Sequence, residues 1–189
     1  MIWSKLKQQL ESFLCPALVG RVEYRATSYR YMPDKVGLCY ITVDKKEVFN
    51  MSDVTSIIHW YQTEQEIKND PYVQIPITQV ELNVVRKDTY GKIPEERLML
   101  VAKNRKISEY AKEILAEQVA LSKSNFYSAA NHFLSNSIED SLESKDILLN
   151  IFALVDRRVG KKRLLDLEEK MKMKHPIVQY FYGLRRGKF

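Results

Sequence analysis

The apolar residues change period twice near the start of the chain, and no other feature limits the fold as much. Trp3, Leu6, Leu10, Phe13 and Leu14 recur at steps of three and four, which predicts an amphipathic helix that Pro16 should end. From Val19 to Tyr31 the period falls to two: Val22, Tyr24 and Ala26 point one way, and Arg21, Glu23, Arg25 and Thr27 the other. Pro33 to Gly37 supplies turn chemistry before a second strand at Leu38 to Val43, and Asp44-Lys45-Lys46 turns the chain into a short third one. A helix followed by a three-stranded antiparallel meander is the expected N-terminal half.

Beyond the meander the pattern returns to helical spacing. Ser52 or Asp53 is placed to cap a helix whose Val54, Ile57, Ile58, Tyr61 and Ile67 should cover the apolar face of the sheet, and Pro71 stops it. Residues 72–91 satisfy neither period cleanly and read as a helix from about Thr78. From Pro94 the chain is predicted helical almost to its end. Leu98 to Leu115 should form one long or kinked helix, and Ser124-Asn125 should cap the next, which carries Phe126, Tyr127, Ala130 and Phe133. Ser137 opens a short helix, and Ile147 to Val155 is apolar enough to be wholly buried. Gly160 is placed as the C-terminal cap of that buried helix. Leu164 to Met171 and Ile177 to Leu184 form the last two helices. The expected class is α+β, with residues 1–189 as one domain and a mainly helical C-terminal half.

Several kinds of chemistry lack their residues. His59, His132 and His175 lie far apart, and neither Cys15 nor Cys39 has a metal-ligand or disulfide spacing, so no metal or cofactor is expected and both thiols read as small core side chains. The six glycines are scattered, without a phosphate-binding loop, and there is no nucleophile elbow. An enzyme is therefore the less favoured class. Lys5 and Lys7 interrupt the N-terminus, and no apolar run reaches the length of a membrane span, which places the protein in the cytoplasm and away from membranes.

Charge is unevenly distributed. Residues 157–189 hold eleven Lys or Arg against three Asp or Glu, +8 in all, while residues 1–156 carry −2. Five of these cations, Arg157, Arg158, Lys161, Lys162 and Arg163, fall within seven residues, and Arg185 and Arg186 follow near the end. They are the candidate binding residues, because guanidinium forks take carboxylates or phosphates and lysines add long-range attraction. A scaffold role competes with this: Asp156 would pair with an arginine of the same segment or of the final helix, arginine stems would cover apolar surface, and the lysines would face water.

The chain also resembles an uncharacterised family of small bacterial proteins of similar length. The resemblance rests on Trp3-Ser4-Lys5-Leu6-Lys7, on Arg21-Val22 with Tyr24, and on Ile41-Thr42-Val43-Asp44. It continues in Ser137 to Leu142, in the block from Ala153 to Leu164, and in His175-Pro176 with Phe181-Tyr182 and Leu184-Arg185. It implies membership over nearly the whole chain but brings no activity, cofactor or ligand. On the residues themselves, the expectation is a non-enzymatic module that binds another protein, in a regulatory or toxin-neutralising role. The alternative is nucleic-acid binding through the basic C-terminal helices.

Overall fold

The computed structural model describes residues 2–187. In chain order the first elements are α1 (Trp3–Ser12), β1 (Val22–Ser28), β2 (Gly37–Val43), β3 (Lys46–Ser52) and α2 (Asp53–Asn69). There follow α3 (Gln79–Asp88), α4 (Glu95–Glu117), α5 (Lys123–Ser135), α6 (Ile138–Glu143) and α7 (Ile147–Val155). The chain closes with α8 (Lys161–Asp166), α9 (Glu168–Lys172) and α10 (Pro176–Arg185). It divides into two compact units, one made of residues 1–54 with 121–189 and the other of residues 55–120.

In the first unit the strands form an antiparallel sheet in the order β1-β2-β3, with Val22 opposite Val43 and Ser28 opposite Gly37. The β2–β3 loop is only Asp44-Lys45, both at positive φ (49° and 67°), the twist that joins two antiparallel strands without splaying them. Arg21 forks onto Asp44 at 2.9 and 2.8 Å and braces the turn. At the other end a Cβ on Gly37 would stand 2.0 Å from the Thr27 carbonyl oxygen, so only glycine fits there. Lys123 locks the β1–β2 connection onto α5: its ammonium donates to the Ser28 hydroxyl and the Lys35 carbonyl, both at 2.7 Å.

The sheet buries Val22 and Tyr24, on the face that the alternation of the first strand picked out, together with Cys39, Ile41 and Val43 of the second. Its cover differs from expectation. Tyr24 meets Phe126 of α5 and Phe152 of α7 at 6.1 and 5.7 Å between ring centroids, and Phe126 stands edge-on to Phe152 at 5.5 Å. Such pairs add about 0.5–1.5 kcal/mol each beyond the area they bury. The sheet thus packs on α1, α5 and α7, whereas Ile57, Ile58 and Tyr61 of α2 are exposed. In α7 all residues after Ile147 are buried, as expected. Its one polar member, Asn150, donates to the carbonyls of Ser141 and Ser144 at 2.8 and 3.0 Å and holds the α6–α7 turn.

Some helix boundaries move. α5 is capped by Ser122, whose hydroxyl accepts from the Asn125 N–H while Asn125 reaches back to the Ser122 N–H, so the cap lies two residues earlier than expected. The expected helix over Leu164 to Met171 is split at Leu167 into α8 and α9.

The second unit explains the ambiguity of residues 72–91. Val73, Ile75 and Ile77 alternate with exposed neighbours in an extended run, and α3 then starts behind a full capping box of Thr78 and Glu81. Two periods abut, so neither fits the whole stretch. α4 serves two small cores from opposite sides, Leu98 and Ala102 with Val85, and Ile107 and Ala111 with Ile67.

After α4 the chain turns through Val119 at φ 60°, with the Ala120 N–H bonded to the Leu115 carbonyl at 3.1 Å. This left-handed position normally falls to glycine, and a side chain there costs about 1–2 kcal/mol. Replacing Val119 by Gly should raise stability by about 0.5–1 kcal/mol after the added chain entropy of glycine is subtracted. Urea unfolding followed by circular dichroism checks it, with a higher midpoint at unchanged slope expected.

Candidate binding surface

The basic block begins where α7 stops. The Cys15 N–H donates to the Val155 carbonyl at 2.8 Å and the Arg157 N–H to the Phe13 carbonyl at 2.7 Å, a short antiparallel bridge centred on Leu14 and Asp156. The Asp156 side chain is fully buried, and Oδ1 accepts from the Arg158 main-chain N–H at 2.7 Å. The Arg158 guanidinium closes on both carboxylate oxygens, with Nη2 to Oδ2 at 2.7 Å, and its carbon lies 4.4 Å over the Phe13 ring. Bonding to Asp156 drives the Arg158 pKa further up. Arg158 is thus part of the scaffold, and it covers Phe13 and Phe133 as well as neutralising Asp156.

Gly160 does not end α7. It sits at φ −77°, ψ 168° as the residue that opens α8, while Asp156 follows the last turn of α7. Arg157 and Arg158 therefore lie past the helix, in the turn between α7 and α8, and offset no helix dipole. The sequence misled because a glycine between two helices can close one or open the next, and only its φ tells which.

Six further cations among the described residues of the tail are matched in turn. Arg163 meets Glu139 at 2.7 Å, Lys170 meets Glu143 at 2.6 Å, Lys172 pairs with Glu169, and Arg186 reaches Glu168 at 2.9 Å and the Tyr182 hydroxyl at 3.1 Å. Arg185 donates to the Val159 carbonyl at 2.8 Å and Lys174 to that of Ser144 at 2.8 Å, where loss of water lowers the Lys174 pKa. Asp156, Glu139 and Glu143 precede residue 157, so the positive tail is balanced by acids lying just before it in sequence. Arg157, Lys161 and Lys162 stand apart. All three are exposed, and among the described residues none of their side chains has a carboxylate or carbonyl partner.

A second surface lies on residues 55–120. Ile57, Ile58 and Tyr61 form an exposed stripe on α2, with relative exposures of 56, 50 and 61%. Val80 and Val84 on α3, Tyr72 and Tyr90 in the loops, and Met99, Leu100 and Tyr110 on α4 are exposed as well. Sequence reasoning took the α2 stripe for a core face. Of that expected face Ile67 does pack, but it does so with Trp60 and Thr63, which lie on a different stripe from Ile57, Ile58 and Tyr61. The signal that could have chosen it is Trp60, the largest apolar side chain of the helix.

Other chemistry finds little to work with. Burial pushes the Cys39 thiol up to about 12, which keeps it protonated and unreactive, and Cys15 is also free and buried. His175 caps α10 by accepting from the Ile177 N–H at 3.2 Å, and His132 bonds to Asn136. Among the described residues no group of three His, Cys, Asp or Glu is arranged to hold a metal ion, and no helix is long and apolar enough to cross a membrane. A groove of about 430 Å³ between α9 and α10 is lined by Met171, Pro176, Tyr180 and Gly183. The Gln179 amide on its wall is spent on the carbonyls of Lys172 and Lys174.

The chain belongs to the SF0329 protein family, whose model matches residues 2–186. Neither the curated proteins nor the solved structures compared with it contain a match. The match spans the stretch that the shared blocks implied, and it carries no activity.

Two outcomes follow from this geometry. Asp156→Asn should cost about 3 kcal/mol, because the Arg158 guanidinium and main-chain N–H lose their charged acceptor in a buried place; denaturant unfolding measures it. In a Cys15→Ser background, native Cys39 should resist a thiol reagent at pH 8 and react fully once the protein is unfolded in urea.

Proposed function

We propose that this protein is a non-enzymatic protein-binding module whose main contact surface is the apolar exterior of residues 55–120. The observation that carries the reading is the exposed stripe of Ile57, Ile58 and Tyr61. Large apolar side chains left in water on one helix face mark an interaction surface, and each returns about 1.5–3 kcal/mol when fully covered. Within this class a regulatory or toxin-neutralising role fits, since such proteins act by occupying a partner and need no reactive group of their own. We place that work in the cytoplasm, where two free thiols persist without pairing.

Nucleic-acid binding through the C-terminal helices has less support. Of its seven candidate cations, Arg158, Arg163, Arg185 and Arg186 are held by internal acceptors.

The test is recovery of tagged protein from its native host in low and moderate salt. A stoichiometric protein partner should co-purify with the wild type and be lost when Ile57, Ile58 and Tyr61 are all changed to Glu. Because these side chains are exposed, each change should shift stability by no more than about 0.5 kcal/mol, so the variant stays folded. Absence of a partner, or equal recovery by the variant, overturns the proposal.

A further inference from the structure

We infer that Arg157, Lys161 and Lys162 form a docking point for an acidic segment of a protein partner. The inference adds to the reading above the chemistry of part of the partner, and its surface is a different one from the apolar stripe of α2.

The argument starts from the balance of charge in the tail. Arg158, Arg163, Lys170, Lys172 and Arg186 each have a carboxylate, and Lys174 and Arg185 each have a carbonyl. Among the described residues, a stretch that meets its cations so consistently leaves three without a partner, and those three fall within six residues of one another. Nor do they serve the fold. The long stem of Arg158 covers aromatic rings, but Arg157, Lys161 and Lys162 are exposed. Two of them, Lys161 and Lys162, are adjacent in α8, whose first turn holds no Asp or Glu to offset them. Locally the arrangement is unfavourable, and a negative group supplied from outside relieves it.

The surroundings select the kind of anion. A nucleic-acid strand needs a continuous positive track and, when single-stranded, aromatic faces on which bases stack. Here the positive run is interrupted: Arg163, the next cation, is taken by Glu139, Asp166 ends the same short helix, and Phe13 lies beneath Arg158. Three cations in so short a run suit two or three carboxylates, which the Arg157 fork receives in two bonds and the lysines by charge. Electrostatic matching of this kind sets which partner is accepted and how fast it arrives.

The experiment uses purified full-length protein and a fluorescein-labelled peptide of alternating Asp and Gly, with a single-stranded oligonucleotide of equal charge as comparison. Fluorescence anisotropy should show binding of the peptide that weakens as salt is raised. Changing Arg157, Lys161 and Lys162 together to Glu should weaken it by about tenfold or more, equivalent to roughly 1.4 kcal/mol. Lys172→Glu, which alters net charge away from the three residues, should change it by less than about twofold, as expected of a distant exposed charge screened by salt. The inference is overturned if wild-type protein does not bind the peptide, if the triple variant binds it equally, if Lys172→Glu weakens it as much, or if the oligonucleotide binds more tightly. Neither reagent touches the Ile57, Ile58 and Tyr61 stripe, so failure here leaves the apolar contact surface standing, and failure there leaves this result interpretable.

Discussion

A carboxylate taken fully out of water must be met at once by donors, and Asp156 is met by the main-chain N–H and the guanidinium of Arg158. That match fixes more than one pair. It turns the chain sharply at the end of α7, lays residues 155–157 against residues 13–15, and spreads the guanidinium across Phe13 and Phe133. α1, α5 and α7 are thereby held at one point, and the sheet rests on the surface they share. The direction in which α8 leaves follows from the same turn.

The charge asymmetry of the sequence takes a physical meaning from these contacts. The acids Glu139 and Glu143 of α6 face Arg163 of α8 and Lys170 of α9, so opposite charges separated along the chain are joined in the fold. Most of these pairs are exposed, and each contributes no more than about 1 kcal/mol. Their combined effect is to favour one placement of the short helices over its alternatives.

Much of the first unit was legible. Alternation in residues 22–26 gave the first strand and its buried face, the run 38–43 gave the second, and the apolar density of 147–155 gave the central helix, because in each case one pattern dominates a window. Legibility failed where two periods compete. On α2 the stripes containing Tyr61 and Trp60 are equally regular, and in residues 72–91 an extended run meets a helix. Gly160 was misassigned because residue type alone leaves φ open. For the candidate surfaces, the sequence offered all the cations of the basic block and the pairing of Asp156 with an arginine of the same segment, but the partners of Arg163 and Arg186 depend on Glu139 and Glu168 arriving from other elements. The apolar stripe on α2 could not be seen as a surface at all, since exposure belongs to the folded chain.

The first unit is built from the two ends of the polypeptide, with residues 55–120 between them. Tyr24 therefore leaves the ribosome over a hundred residues ahead of Phe126 and Phe152, the rings it must meet. At about 5–20 residues per second that is a delay on the order of 5–20 s, during which the newborn hairpins have only α1 to cover their greasy side. Slowing translation lengthens that interval rather than relieving it.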